Sequence, residues 1–207
     1  MSAKKHTLWF HLFDVLLNIV IIVAIVATIR TFLISPFQVE GKSMMSTLEH
    51  EEYIVINKLA YYLGSPNRGD VVVFRPPNNP KRPYVKRVIG LPGDEVIISG
   101  GFVSIRPAGS EEEIDLDERY LNDKNAGKTY RSPPSAGNTD EIRYRVPEGK
   151  YFLLGDNRVA SLDSRSFRDA NDESIPFVDE DSILGRVWVV ALPLSKVHAI
   201  EHPSYGF

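Results

Sequence analysis

Lys86 stands inside a run that otherwise reads as a buried strand, Tyr84-Val85-Lys86-Arg87-Val88-Ile89-Gly90-Leu91-Pro92-Gly93-Asp94. Side chains alternate along a strand, so Lys86 shares a face with Tyr84 and Val88, while Arg87 faces the other way. Burial strips water from an ammonium group and lowers its pKa, which makes a lysine a base near neutral pH. Such a base needs a hydroxyl to deprotonate. Gly41-Lys42-Ser43-Met44-Met45-Ser46-Thr47-Leu48 offers one at Ser43, behind a glycine that lets the backbone approach a bound peptide. A serine attacks a carbonyl only once a base takes its proton, so Ser43 gains its meaning from Lys86. Taken alone it reads as an ordinary surface or capping serine.

A third stretch, Leu154-Gly155-Asp156-Asn157-Arg158-Val159-Ala160-Ser161-Leu162-Asp163-Ser164-Arg165, joins a strand end to a Gly-Asp-Asn turn and two acid/arginine sets. Bidentate Arg–carboxylate pairs fix a loop rigidly, and a serine hydroxyl there could orient a lysine amine. Taken alone, the stretch is more simply a turn held by ion pairs. The five histidines, His6, His11, His50, His198 and His202, form no triad or ligand pattern. No metal or nucleotide motif is visible, and no cofactor is expected. The chain has no cysteine, which excludes thiol catalysis and disulfides. A net charge of −3 gives no electrostatic case for nucleic acid.

These residues need a scaffold, and two kinds of element supply it. Residues 8–34 are mostly apolar, densest over 15–29, long enough for a helix to cross about 30 Å of hydrocarbon. Asp14 and Asn18 interrupt the run near its lysine end, and Arg30 closes the dense part. Trp9, Phe10 and Phe32 suit the two interfaces. A cleaved leader would have a shorter apolar core, about 7–15 residues, and a small-x-small site, which residues 28–32 lack. Lys4 and Lys5 favour a cytoplasmic N-terminus, with everything after about residue 35 outside.

Past Pro36, Val-, Ile- and Tyr-rich runs alternate with turns. Residues 51–60, 70–74, 86–91, 95–98, 144–146, 151–154 and 187–192 read as strands. Pro76, Pro77, Pro80 and Pro83 mark a loop, and Pro92-Gly93-Asp94 marks a turn. The expected fold class is mostly β: a membrane-anchored domain of antiparallel sheets with one N-terminal transmembrane helix and a small insertion. The expected division is residues 1–35 as cytoplasmic N-terminus and anchor, and 36–207 as an extracytoplasmic catalytic domain. The charged stretch at about 106–143, with the loop composition of 132–137, reads as an insertion or flexible hairpin with a solvated face.

Together the motifs resemble those of the type I signal peptidase (leader peptidase) family, over nearly the whole chain. The family's serine motif, Ser-Met-x-Pro-Thr-Leu, is matched by residues 43–48 except that Ser46 stands where the family has proline. Arg68-Gly69-Asp70-Val71-Val72-Val73-Phe74 resembles its next motif, residues 84–94 its lysine motif, and 155–165 its Gly-Asp-Asn-Arg motif at every defined position. The resemblance implies Ser43 as nucleophile and Lys86 as general base, with Ser161 orienting the lysine amine. Asp163 and Arg165 would hold the site, with Asp156 in support. The Ser43 N–H would serve the oxyanion; Gly41 leaves any second donor open. Phe37, Val39, Met44, Leu48, Tyr84 and Val85 would form a pocket for small residues at −1 and −3. With serine at position 46 the turn should be freer than with proline.

The function implied is a serine endopeptidase that removes signal peptides from secretory preproteins at the outer face of the cell membrane. Its partners would be those signal peptides, membrane lipid and, by proximity, the secretion translocon. Two rivals stay open. One is a Ser/Lys autoprotease of the repressor type, against which the apolar run argues. The other is a tethered β module that binds peptides without cutting them.

Overall fold

The computed structural model describes residues 3–30, 34–130, 141–203 and 205–207. Phe32 and residues 131–140, which include most of the Pro- and Gly-rich loop, lie outside the described residues.

Helix α1 (Ala3–Thr28) carries the apolar run. Its Trp9–Thr28 stretch has a mean hydropathy of 2.5, and none of it is buried. Asn18 Nδ2 donates to Asp14 O and Thr28 Oγ1 donates to Ala24 O, so these polar groups are satisfied within the helix. A helix apolar on all sides and packed against nothing suits a hydrocarbon surrounding, where every backbone polar group must be satisfied internally.

Among the described residues twelve strands follow: β1 (Ile34–Gln38), β2 (Tyr53–Asn57), β3 (Val71–Phe74), β4 (Tyr84–Gly90), β5 (Glu95–Ser99), β6 (Phe102–Arg106), β7 (Ile114–Asp115), β8 (Ile142–Arg145), β9 (Lys150–Leu154), β10 (Val178–Asp179), β11 (Ile183–Leu192) and β12 (His198–Ala199). One sheet runs β1-β2-β11-β3-β4-β9-β10, with β12 beside β11. A second runs β7-β6-β5-β8. All pairings are antiparallel. Pro36 lies inside β1, which tolerates it because β1 is an edge strand.

The mostly antiparallel, helix-anchored architecture is the one the residue pattern predicts. Within the 106–143 stretch, residues 111–113 are exposed. Ile114–Asp115 and Ile142–Arg145 are strands of the second sheet. Residues between them reach across to the third motif: Arg158 donates to the Glu118 carboxylate and to Thr129 Oγ1 (2.7 Å), and Arg165 to Tyr130 O (2.9 Å). Its described part is thus fastened down by buried arginines whose partners lie far away in sequence.

The base sits in the middle of the larger sheet. β4 lies between β3 and β9, with Lys86 opposite Val72, and Arg87 opposite both Val71 and Leu154. Lys86 therefore stands on an interior strand of the sheet.

Candidate active site

Ser43 is on a tight turn that follows β1. Met45 N donates to Lys42 O (3.1 Å), and Thr47 N and Leu48 N donate to Met44 O (2.9 and 2.8 Å). Met44 and Leu48 fasten this turn. Both are only 1% exposed and pack into the core with Ile54, Ile56 and Val187. Neither is among the residues that line the cleft in this structure. Ser46, in the same turn, has φ of 91°, a left-handed conformation that proline cannot adopt.

Lys86 is 2% exposed, and its Nζ lies 2.6 Å from Ser43 Oγ and 2.7 Å from Val85 O. Its amine also stands over the Tyr84 ring, 5.5 Å from the centroid. Burial brings the Lys86 pKa down from 10.5 to about 8, against the opposing pull of the Asp163 and Asp156 carboxylates. With a pKa of about 8, roughly a tenth of the amine is neutral at pH 7 and the share rises steeply above it; in that form the serine O–H donates to a free lone pair across the 2.6 Å contact.

The third motif braces this pair from two directions. Arg87, on the opposite face of β4 from Lys86, clasps Asp156 with Nε at 3.0 Å and Nη2 at 2.7 Å. Thr47 Oγ1 donates to the same carboxylate at 2.5 Å. Asp156 thus ties the strand of the base to the turn of the nucleophile. The Arg87 guanidinium also stacks on Tyr120, 3.9 Å from its centroid. Asp163 and Arg165 form a second bidentate pair, both bonds 2.8 Å, and Gly155 N donates to Asp163 Oδ2 at 3.1 Å. Burial alone would raise the Asp163 pKa; Arg165 and the Gly155 N–H outweigh it and hold the carboxyl below its usual range.

Ser161 lies against Gly155. A Cβ on Gly155 would stand 2.1 Å from Ser161 Oγ and 2.5 Å from Ser43 O. The Ser161 hydroxyl is buried without a well-formed hydrogen bond, though it is near enough to Asp163 to favour the ionised carboxylate. No described contact joins it to the lysine amine.

A cleft of about 680 Å³ opens over Ser43 and Lys86. Phe37, Val39, Tyr84 and Val85 line it, together with Ile54, Val73 and Leu162, which the sequence reading did not select. Lys42 and Arg82 also line it. Arg87, Thr47, Asn157 and Gly155 were present in the quoted motifs without an assigned role; only long-range pairing reveals what they touch. His50 lies beside the nucleophile's turn, where its Nδ1 accepts from Gly41 N at 3.2 Å.

Comparison with known proteins shows the family to which the chain belongs. The family described as "Signal peptidase, peptidase S26" matches residues 12–192. Signal peptidase I U of Bacillus subtilis (strain 168) is 36% identical over 183 residues, covering 88% of this chain and 89% of that protein. Signal peptidase I of Bacillus caldolyticus is 39% identical over 173 residues, 80% of this chain and 83% of the relative. Signal peptidase I of Pseudomonas fluorescens is 33% identical over 214 residues, 88% and 73%. A match that begins within the apolar helix and runs through all four motifs establishes that the chain belongs to the signal peptidase family, peptidase S26.

Proposed function

We propose that this chain is a membrane-anchored serine endopeptidase that removes signal peptides from secretory preproteins, with Ser43 as nucleophile and Lys86 as general base. The observation that carries the dyad is the 2.6 Å approach of Lys86 Nζ to Ser43 Oγ at the floor of the cleft, with burial lowering the lysine pKa. The neutral amine takes the Ser43 proton as Oγ adds to the scissile carbonyl. The resulting ammonium protonates the leaving amine, and the C–N bond breaks to leave an acyl-enzyme. The amine, neutral again, then activates a water that releases the signal peptide and restores the serine.

The cleft suggests how the substrate lies. An extended peptide sends alternate side chains to one wall, so positions −1 and −3 face the same surface. Phe37, Val39, Tyr84 and Val85 supply an apolar wall beside Ser43, suited to small residues there. In this reading Ser161, Asp163, Arg165 and Asp156 act by holding the dyad, and residues 36–207 form the catalytic domain. The N-terminus lies in the cytoplasm, and catalysis takes place at the outer lipid surface, where preproteins leave the translocon.

Cleavage-site mapping by mass spectrometry on a model preprotein, with wild type and Ser43→Ala in parallel, tests the proposal. Wild type should cut once, after a small residue, and Ser43→Ala should not cut. A Ser43→Ala variant with wild-type turnover refutes the nucleophile. Protease added to right-side-out vesicles should reach a C-terminal tag; protection of that tag refutes the orientation.

A further inference from the structure

The aim of the Ser43 N–H is set from a different loop. Ser43 N and Lys42 O belong to one peptide unit, which partial double-bond character keeps planar and trans. In such a unit the carbonyl and the N–H point in opposite directions. Whatever holds Lys42 O therefore aims the Ser43 N–H. Two donors hold it: Met45 N at 3.1 Å and the side-chain amide of Asn157, Nδ2, at 2.8 Å. The following peptide unit is held as well, since Asn157 N donates to Ser43 O at 3.0 Å. One residue thus grips the carbonyls on both sides of the nucleophile's Cα.

Asn157 is itself well seated. Its neighbour Asp156 is fully buried and clasped by Arg87 and Thr47, and Ala160 N donates to Asn157 O at 3.1 Å. The turn that presents Asn157 is therefore anchored independently of the bonds it makes to Lys42 and Ser43.

We propose that Asn157 is a positioning residue of the oxyanion site, which aims the Ser43 N–H at the oxygen of the scissile carbonyl. The proposal rests on Ser43 being the nucleophile. When Oγ bonds to the carbonyl carbon, the carbonyl π pair moves onto oxygen and the hydroxyl proton passes to Lys86 Nζ. The new oxyanion needs a donor already pointed at it, because a donor that must first turn loses much of its effect. Gly41 brings no side chain to this end of the cleft, and its Cβ position is open space. That places more weight on the backbone N–H of Ser43, and on whatever fixes its direction.

The test uses full-length enzyme in detergent with Asn157→Ala, which removes the side-chain donor, and Asn157→Asp, which keeps the shape but sets an acceptor against Lys42 O. Losing an oxyanion donor outright costs about 100- to 1,000-fold in kcat; a donor left to wander should cost about 10- to 100-fold. KM should stay within about twofold, and the acid limb of the pH–rate profile should not move, since Lys86 keeps its contacts. Two probes add a readout that a merely structural role would not give. A peptide aldehyde, which forms a tetrahedral oxygen on the serine, should weaken in step with kcat/KM. A reduced-amide peptide, which has no carbonyl oxygen at that position, should bind as before. Wild-type kcat in Asn157→Ala, a loss carried by KM, a displaced pH limb, or equal weakening of both probes would each overturn the proposal. If Asn157→Ala fails to fold, Asn157→Asp decides by the same criteria. Ser43→Ala runs beside them: its retaining activity would sink the nucleophile assignment, whereas an inert Ser43→Ala with a fully active Asn157→Ala would sink this inference alone.

Discussion

Replacing Lys86 with methionine should destroy activity and stabilise the protein, by an amount that depends on pH in a calculable way. The folded chain carries a fully buried amine whose pKa has fallen from 10.5 to about 8. At about 1.4 kcal/mol per pKa unit, holding the proton on Lys86 costs the folded state roughly 3 kcal/mol at neutral pH. Methionine has a similar length and no charge. It forfeits the contacts to Ser43 Oγ and Val85 O, which returns about 1 kcal/mol. Lys86→Met should therefore gain roughly 2 kcal/mol below the folded pKa. The sign of the pH dependence follows from proton counts. Between about 8 and 10.5 the unfolded chain holds this proton and the folded chain does not, so wild-type stability rises with pH there. The variant lacks that rise, and its advantage should vanish by the upper end of the window. Urea unfolding of both proteins from mildly acidic to alkaline pH measures the difference, in which other titrating groups cancel. The wild-type kcat/KM should climb about tenfold per pH unit along its acid side and level off near the same pKa. A stability gap that does not change with pH, or a kinetic limb displaced from the thermodynamic one, would refute the idea of a suppressed charge at Lys86.

Three further outcomes follow from the same contacts. Gly155→Ala would drive a Cβ to 2.1 Å from Ser161 Oγ and 2.5 Å from Ser43 O, so turnover on a fluorogenic signal-peptide substrate should fall about 100-fold. Asp156→Asn would leave the Arg87 guanidinium, 1% exposed, without its charge partner, and urea titration should show a loss of about 3–5 kcal/mol. Ser46→Gly should raise the thermal midpoint by relieving the left-handed φ, worth about 1 kcal/mol, whereas Ser46→Pro should lower it despite matching the family's usual residue.

The parts of this site that the sequence disclosed are those whose chemistry contradicts their surroundings. A lysine in a Val- and Ile-rich strand is conspicuous, and alternation along that strand correctly sends Arg87 to the opposite face. What stayed hidden depends on which way a turn faces. Met44 and Leu48 flank the nucleophile, and apolar residues there suit a pocket or a core equally well; the winding of residues 42–48 sends them to the core. In the stretch after β6, Glu118, Thr129 and Tyr130 find their partners, Arg158 and Arg165, 29 to 40 residues away, beyond what a local charge pattern discloses. Asn157 lay within a quoted motif, but its hold on Lys42 O spans 115 positions, beyond any local pattern.

The uniform apolar surface of α1 has a consequence for how the enzyme meets its substrate. A span with no privileged side sets depth in the bilayer and leaves rotation about its own axis free. On the proposed topology it acts as a tether that confines catalyst and preprotein to one thin layer. Encounter then depends on how many molecules share a patch of surface, not on their concentration in a volume, and a modest intrinsic affinity for the cleavage segment suffices. Another apolar span of equal length should serve as well, and detaching the span should slow capture of membrane-borne preproteins while leaving the cutting of short soluble peptides nearly unchanged.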